Sequence, residues 1–175
     1  MKKQPRRNNS IRKKFWDYRT PAYYFITICT HQRQYYFENP AIKLLAETIW
    51  RQITTYDSCD HIALDSWVVM PNHVHLLFYL GESTEFLTVP FDDTLMPRSV
   101  GAVMGTYKKI VGRKARRMLH SPSLKFWQRG YYDRIVRNEE ELNRIRHYIE
   151  MNPTRWVEDS DDLDSVLAKM DYHDL

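Results

Sequence analysis

The sequence predicts an α+β protein whose elements follow the order β-α-β-β-α-β, with one more helix at the end. Three observations support this order. Short runs rich in aromatic and β-branched residues mark the strands, segments with apolar residues at helical spacing separate them, and Pro71-Asn72 joins two strands as a turn. The order is typical of the ferredoxin-like fold, an antiparallel sheet with two helices on one face. The other face is predicted to hold the last helix and a ligand.

The first half of the chain supplies three of the strands. Tyr23–Thr30 is predicted to be a strand, and Asn39-Pro40 begins a helix with Asn39 as N-cap and proline at the first helical position. The strands His61–Met70 and His73–Leu80 are predicted to pair as a hairpin. The first helix is predicted to bury a stripe of five residues: Ile42, Leu45, Ile49, Ile53 and Tyr56.

The second half begins with residues 81–96, whose turn residues and acids predict a loop. A second helix is predicted to start at Pro97 or Arg98. Its apolar stripe comprises Val100, Val103, Met104, Tyr107 and Val111. Short strand segments are expected at Phe126–Gln128 and Tyr131–Arg137, which complete the sheet.

The last helix has strong boundary signals. Asn138 and Glu141 form a pair similar to a capping box at its start. Because proline lacks a backbone N–H and disfavours a helical residue before it, the helix is predicted to run over Glu139–Asn152 and to stop before Pro153.

Charge divides the chain into an arm, a body and a tail. Residues 158–175 hold seven acids against Lys169, a local charge of −6. Because the net charge of the whole chain is +4, the remainder of the chain carries +10. The predicted units are a basic arm over 1–20, a domain over 21–156 and an acidic tail over 157–175. A basic body with a basic arm is typical of nucleic-acid binders, although a solvated basic surface would have the same charge. The aromatic residues at the end of the arm could stack on unpaired bases or attach the arm to the body.

Composition narrows the cellular setting. A hydrophobic content of 43% indicates a globular protein, and the two cysteines, Cys29 and Cys59, are too few for a disulfide framework. Residues 4–20 contain no apolar stretch of the kind found in signal peptides, and no apolar run approaches a membrane span. We therefore expect a cytoplasmic, nucleoid-associated protein without a membrane partner.

His73 and His75 are the first candidate site residues. Successive side chains of a strand point to opposite faces, so the two histidines share one face and Val74 points to the other. Two imidazoles one strand step apart can bind one metal ion, although they could also be ordinary surface residues.

Tyr148 and Asn152 are the second pair, one turn apart on the last helix and on the same face as Ile145 and Ile149. Separately, a tyrosine there is more often part of the core, and Asn152 could be a C-terminal cap. Together with the histidines they suggest a mechanism. Two imidazoles and an amide oxygen could hold Mg²⁺ or Mn²⁺, and the Tyr148 phenol could attack a phosphodiester.

Three segments resemble one known family. They are Met70-Pro-Asn-His-Val-His-Leu-Leu, Trp127-Gln-Arg-Gly-Tyr-Tyr-Asp-Arg and Arg144-Ile-Arg-His-Tyr-Ile-Glu-Met-Asn-Pro153. In these segments, and in an amino-terminal Arg6-Arg7…Ser10-Ile11-Arg12, the chain resembles the REP-associated tyrosine transposases, a group of single-tyrosine HUH transposases. The resemblance extends over about residues 6–156.

The resemblance implies cleavage and transfer of single-stranded DNA through a 5′-phosphotyrosine, with Mg²⁺ or Mn²⁺. It implies that His73 and His75 are metal ligands, that Tyr148 is the nucleophile on a catalytic helix, and that Asn152 completes the metal site. Tyr131, Tyr132 and His147 remain competitors as nucleophile or helper. Imperfect palindromes folded as hairpins are the implied DNA partner, and both a monomer and a homodimer that exchanges its catalytic helix are compatible with the family.

Ten basic residues are candidates for contacts with the DNA backbone, which raise affinity without reading sequence. They are Arg6, Arg7, Arg12, Lys13, Lys14, Lys108, Lys109, Arg113, Arg116 and Arg117. The run over 108–117 could equally be a solvated helix face. The alternative function is a ferredoxin-like module that binds single-stranded nucleic acid through aromatic residues and catalyses nothing. A hydrolase that uses water is a third option, which leaves Tyr148 unexplained.

Overall fold

A computed structural model of the protein describes residues 16–82 and 97–158. Its elements confirm the predicted order, with strands, helices and bounds as follows: β1 Ala22–Cys29, α1 Pro40–Arg51, β2 Ile62–Met70, β3 His73–Leu80, α2 Val100–Met118, β4 Tyr132–Ile135 and α3 Glu139–Glu158. The four strands form one antiparallel sheet in the order β2-β3-β1-β4. This is the ferredoxin-like arrangement with an added C-terminal helix, as predicted.

Helices α1 and α2 cover one face of the sheet and form the larger core. Ile49 and Trp50 of α1 and Val103 and Tyr107 of α2 are buried against strand residues such as Phe78. The Tyr107 hydroxyl donates a hydrogen bond to the Ala46 carbonyl at 3.2 Å, which joins the two helices. Asn39 caps α1 as predicted, since its side chain accepts hydrogen bonds from the first free amides of the helix.

Helix α3 covers the other face. Leu142, Ile145 and Ile149 pack on Phe25 of β1 and Leu77 of β3, and this second cluster is separated from the first by the sheet. The Asn138 side chain accepts a hydrogen bond from the Glu141 amide at 2.9 Å, which confirms the predicted N-cap. The sheet therefore has a structural face and a face that presents the last helix.

Two predicted helix boundaries are wrong. Helix α2 begins at Val100, because Ser99 caps it through a hydrogen bond from the Ala102 amide and Arg98 has a left-handed φ of 59°. Helix α3 continues through Pro153 to Glu158. A proline removes one helical hydrogen bond and disfavours the helical conformation before it without forbidding it.

Two aromatic residues at the end of the arm, Trp16 and Tyr18, are attached to the body. Trp16 donates a hydrogen bond to the Tyr24 hydroxyl at 3.1 Å, and the Tyr18 hydroxyl donates one to Asp133 at 2.5 Å. Of the two alternatives for these aromatics, the structure supports attachment. Residues 1–15, residues 83–96 of the loop predicted over 81–96, and residues 159–175 of the tail predicted over 157–175 lie outside the described residues.

Candidate active site

The site is built on one row of residues that crosses the sheet under α3. Thr27 of β1 is directly opposite His75 of β3, which in turn is opposite Val68 of β2. Residues directly opposite each other in antiparallel strands share a face. His73 lies two residues earlier on β3 and on that same face, as the strand period predicts. The prediction of a shared face for the two histidines is therefore confirmed.

The two imidazole rings face each other through the same nitrogen. Nε2 of His73 lies 3.1 Å from Nε2 of His75. The other nitrogen of each ring is held by a neighbour: Nδ1 of His73 donates to the Asn72 side-chain oxygen at 2.7 Å, and Nδ1 of His75 shares a hydrogen bond with the Thr27 hydroxyl at 2.8 Å. These contacts fix the orientation of both rings and direct both Nε2 atoms toward one point.

Both histidines are buried, with exposed fractions of 2% for His73 and 0% for His75. Burial lowers the pKa of His73 to about 3, and the positive charge of Arg33 contributes to that shift. The pKa of His75 is also lowered well below its usual value, first by burial and then by His73. The rings are therefore neutral at physiological pH, which is the form of imidazole that binds metal ions.

Tyr148 reaches this pair from α3. Its hydroxyl oxygen lies 3.2 Å from Nε2 of His75, and its ring meets the rings of His75 and Phe25 edge to face. The ring is partly buried, while Ile145 and Ile149 on either side are buried against the sheet. The packing that holds α3 in place thus also holds the phenol oxygen beside the histidine pair of the same chain.

Two ion pairs hold α3 on the sheet. The guanidinium of Arg146 contacts both carboxylate oxygens of Asp65, with distances of 3.1 and 2.6 Å. Asp65 lies in an irregularity of β2 between Leu64 and Trp67, where an extra residue turns a side chain toward α3. Near the start of the helix, Arg134 contacts Glu141 at 2.5 Å.

Asp65→Asn is expected to lower the free energy of unfolding by about 1 kcal/mol, since the pair is partly exposed and screened by water. Arg146 holds the pKa of Asp65 below its usual value of 3.8. The contribution is therefore complete above that pH and is lost as the pH falls through the lowered pKa. Urea denaturation of the wild type and of Asp65→Asn from pH 7 to pH 2.5 measures the difference in their free energies of unfolding. A difference that stays constant over that range would contradict the assignment.

The donor atoms fit a divalent metal ion. Two ligands at right angles on an ion with bonds of about 2.1 Å lie about 3.0 Å apart, close to the separation of the two Nε2 atoms. Asn152 is buried with 7% exposure one turn beyond Tyr148, on the buried side of α3. In residues 16–82 and 97–158, no three His, Cys, Asp or Glu side chains form a metal cluster. Among the described residues, the amide side chain of Asn152 is the candidate for a third ligand.

None of the basic candidates that the structure describes lies on the face of the sheet that carries the histidine pair. Helix α2 lies on the opposite face of the sheet, where Lys109, Arg113 and Arg117 are exposed and Arg116 is partly buried. The Lys108 amine donates to the carbonyls of Gln128 and Gly130 at 2.7 and 2.6 Å, and burial lowers its pKa to about 8. Lys108 thus holds the segment before β4. The five arm candidates, Arg6, Arg7, Arg12, Lys13 and Lys14, lie outside the described residues.

Thr27 and the Asn72 side chain are site residues that the sequence analysis did not identify. Thr27 is a buried hydroxyl within the otherwise apolar run Phe25–Cys29, and a buried polar group needs a hydrogen-bond partner. That isolated hydroxyl was the available signal. Asn72 was assigned only to the turn, and its position before His73 gave no indication of the side-chain contact.

Comparison with known proteins identifies one relative by sequence. No family model matches the sequence. A Haemophilus influenzae protein, described as uncharacterized, is 30% identical over 166 residues, which cover 86% of this chain and 90% of that protein. The chain belongs to the family of that protein. In residues 16–82 and 97–158, no helix is both long enough and apolar enough to span a membrane.

The fold recurs in a solved structure. A REP-associated tyrosine transposase bound to a REP hairpin matches with a TM-score of 0.53 and 16% sequence identity, over 82% of this chain and 74% of that chain. This family member therefore has the fold of a REP-associated tyrosine transposase, as the sequence resemblance predicted.

Proposed function

We propose that the protein is a transposase-type enzyme that cleaves and rejoins single-stranded DNA through a covalent link to Tyr148. One observation carries the proposal: the phenol oxygen of Tyr148 lies 3.2 Å from Nε2 of His75, which itself lies 3.1 Å from Nε2 of His73. A hydroxyl nucleophile next to a pair of metal-competent nitrogens is an arrangement suited to phosphodiester chemistry. The fold of the REP-associated transposase supports this assignment.

His73 and His75 would hold Mg²⁺ or Mn²⁺, and Asn152 is the candidate third ligand. When bound, such an ion polarises a phosphate oxygen and offsets the charge that develops on it. Thr27 and Asn72 orient the two imidazoles, so that the Nε2 lone pairs are presented without rearrangement. Phe25 and His75 restrict the Tyr148 ring, which places its oxygen at the site.

In the proposed cleavage step, the Tyr148 phenol replaces the 3′ oxygen of the DNA on phosphorus. The Tyr148 oxygen forms a bond to phosphorus and loses its proton, the bond from phosphorus to the 3′ oxygen breaks, and the leaving 3′ oxygen takes up a proton from solvent. The products are a 5′-phosphotyrosine and a free 3′ hydroxyl. Because a free phenol has a pKa of about 10, a nearby cation is needed to favour the phenolate. The phosphotyrosine conserves the energy of the broken bond, which permits transfer to another 3′ hydroxyl.

The DNA partner is proposed to be a hairpin formed by repetitive palindromic DNA, with a short single-stranded flank that contains the cleavage site. Exposed basic residues of α2, among them Lys109, Arg113 and Arg117, are suited to contact its phosphates. Since α2 and the histidine pair lie on opposite faces of the sheet, such a hairpin would have to pass around a sheet edge to engage both.

The direct test uses a labelled REP hairpin oligonucleotide with a single-stranded flank. We expect a covalent protein–DNA adduct with Mg²⁺ or Mn²⁺ and none with EDTA. Denaturing electrophoresis detects the adduct, and peptide mapping locates it. Binding without an adduct under both conditions would favour the non-catalytic binding module. Cleaved ends without a protein-linked intermediate would favour hydrolysis by water.

Thr27→Val should weaken Mn²⁺ binding about 10- to 100-fold, because loss of a group that orients a metal ligand typically has this effect. Valine has the shape of threonine and suits a strand, so the sheet should remain intact. Isothermal titration calorimetry with Mn²⁺ measures the change. Thr55→Val, at an exposed position outside the sheet, is the matched control. Equal Mn²⁺ affinity in the Thr27 variant and the wild type would contradict the role of Thr27.

A further inference from the structure

The segment Trp127–Arg134 is one of the three segments that carry the family resemblance, and the proposed reaction gives it no role. Its strand, β4, continues the row that carries the site: Tyr132 is directly opposite Thr27, which is opposite His75. Directly opposite residues share a face, so the Tyr132 side chain lies on the face of the sheet that bears the histidine pair. Two strand spacings separate Tyr132 from His75, about 10 Å between backbones.

Within the described residues, helix α3 lies mainly over the other end of the row. The helix packs chiefly on β2 and β3. β4 is at the edge of the sheet, and Tyr132 is partly exposed. Its neighbour Tyr131 packs instead with the core under α1 and α2, as the alternation of a strand requires. A partly exposed aromatic ring therefore lies beside the site, on the same face of the sheet.

The backbone that presents this ring is held in place. The Lys108 amine binds the carbonyls of Gln128 and Gly130, and the Gln128 amide donates to the Cys29 carbonyl at 3.0 Å. Gly130 has a φ of 77°, which L side chains rarely adopt, and forms the bend just before β4. Groups on rigid elements position a ligand more accurately than groups on loops.

We infer that Tyr132 is a positioning residue that stacks on an unpaired base next to the scissile phosphate. This inference rests on the proposed function. Aromatic rings on an open sheet are a common platform for unpaired bases, and stacking tolerates any base because each has a π-face. With one base held on Tyr132, the adjoining phosphate is brought toward the histidine pair and Tyr148. The ring would thus select single-stranded over paired DNA at the cleavage site.

The test uses Tyr132→Leu, which keeps an apolar side chain but removes the aromatic face, and Tyr132→Phe, which keeps the ring. The substrate is a REP hairpin with a single-stranded flank that carries 2-aminopurine beside the cleavage site, and the reference is the same hairpin without a flank. Tyr79→Leu is the matched control, since Tyr79 is a partly exposed tyrosine four residues from His75 on β3 and on the same face.

Tyr132→Leu should bind the flanked hairpin about 5- to 150-fold more weakly, the effect of losing one stacked base. The unflanked hairpin should bind equally well to the variant and the wild type. The wild type should quench 2-aminopurine fluorescence, Tyr132→Leu should not, and Tyr132→Phe should restore both quenching and affinity. In adduct formation, the Leu variant should show a raised KM with a smaller change in kcat. Tyr79→Leu should behave as the wild type does.

Unchanged flank affinity and quenching in Tyr132→Leu would overturn the inference, and so would failure of Tyr132→Phe to restore them. Equal affinity of the wild type for flanked and unflanked hairpins would overturn it as well. Failure of the proposed function is a separate result, namely a wild-type protein that forms no adduct with Mg²⁺ or Mn²⁺. Flank binding and quenching are measured with EDTA present, so they remain informative in that case.

Discussion

Tyr148→Phe is expected to abolish the covalent protein–DNA adduct while hairpin binding changes little. The substitution removes the only atom that would bond to phosphorus and leaves the ring. The contacts of that ring with Phe25 and His75, and its place beside Ile149 in the second cluster, do not require the hydroxyl. The loss should therefore be of chemistry and not of folding. Adduct formation on a labelled hairpin with Mg²⁺ and with Mn²⁺ is the measurement.

The control for this variant is Tyr79→Phe, which removes a hydroxyl from another partly exposed tyrosine on the same face of the sheet. It should form the adduct at the wild-type rate. Thermal unfolding of both variants within a few degrees of the wild type would show that the fold is retained. An adduct that persists in Tyr148→Phe would contradict the assignment, and peptide mapping would then test Tyr132, which shares a face of the sheet with the histidine pair.

Local periodicity predicted the hairpin and the shared face of the histidines. β3 has the predicted bounds His73–Leu80, because a run of apolar residues with a Pro71-Asn72 turn before it has few alternatives. A period of two then places His73 and His75 side by side. The element order in turn predicted which face of the sheet is covered by two helices and which is covered by α3.

The contacts between distant parts of the chain were not predictable from the residues alone. The contact between Arg146 and Asp65 depends on an irregularity in β2 that turns Asp65 toward α3. No local sequence pattern marks the position of that irregularity. The partner of Thr27 likewise follows from the register of β1 against β3. The meeting of Tyr148 with His75 was expected from the chemistry that these residues could perform together and from the family resemblance, since helical spacing relates Tyr148 to Asn152 and not to a strand.

The basic residues show a different limit of sequence analysis. Six basic side chains in one stretch of α2 predicted an electrostatic role, but a run of charges does not show which side chains contact a ligand and which contact the protein itself. In the structure the sheet lies between α2 and the histidine pair, and Lys108 uses its amine to bind carbonyls. Charge alone predicted a nucleic-acid-binding body, and it gave no indication that the Lys108 amine would bind carbonyls of the protein itself.

His73→Ala is expected to lower the rate of adduct formation at least about 1000-fold, with hairpin affinity nearly unchanged. Charge stabilisation by a bound metal contributes several kcal/mol, and one remaining imidazole cannot hold the ion in the same position. The contacts proposed for the hairpin are phosphate contacts made by α2 and do not involve the buried histidine. Adduct formation, Mn²⁺ titration calorimetry and an electrophoretic shift of the hairpin in EDTA separate the three properties.

A matched control for this variant is available on α3. His147 adjoins Tyr148 in sequence but is exposed, so His147→Ala removes an imidazole close to the nucleophile without touching the pair. It should bind Mn²⁺ and form the adduct as the wild type does. Since His73→Ala also leaves the Asn72 side-chain oxygen without its donor, some loss of stability is expected, and His75→Ala provides an independent second variant. Wild-type Mn²⁺ affinity in both variants would show that the ion binds elsewhere. Adduct formation in EDTA by either variant would instead show that Tyr148 acts without a metal, and the pair would then be a structural feature that orients the phenol.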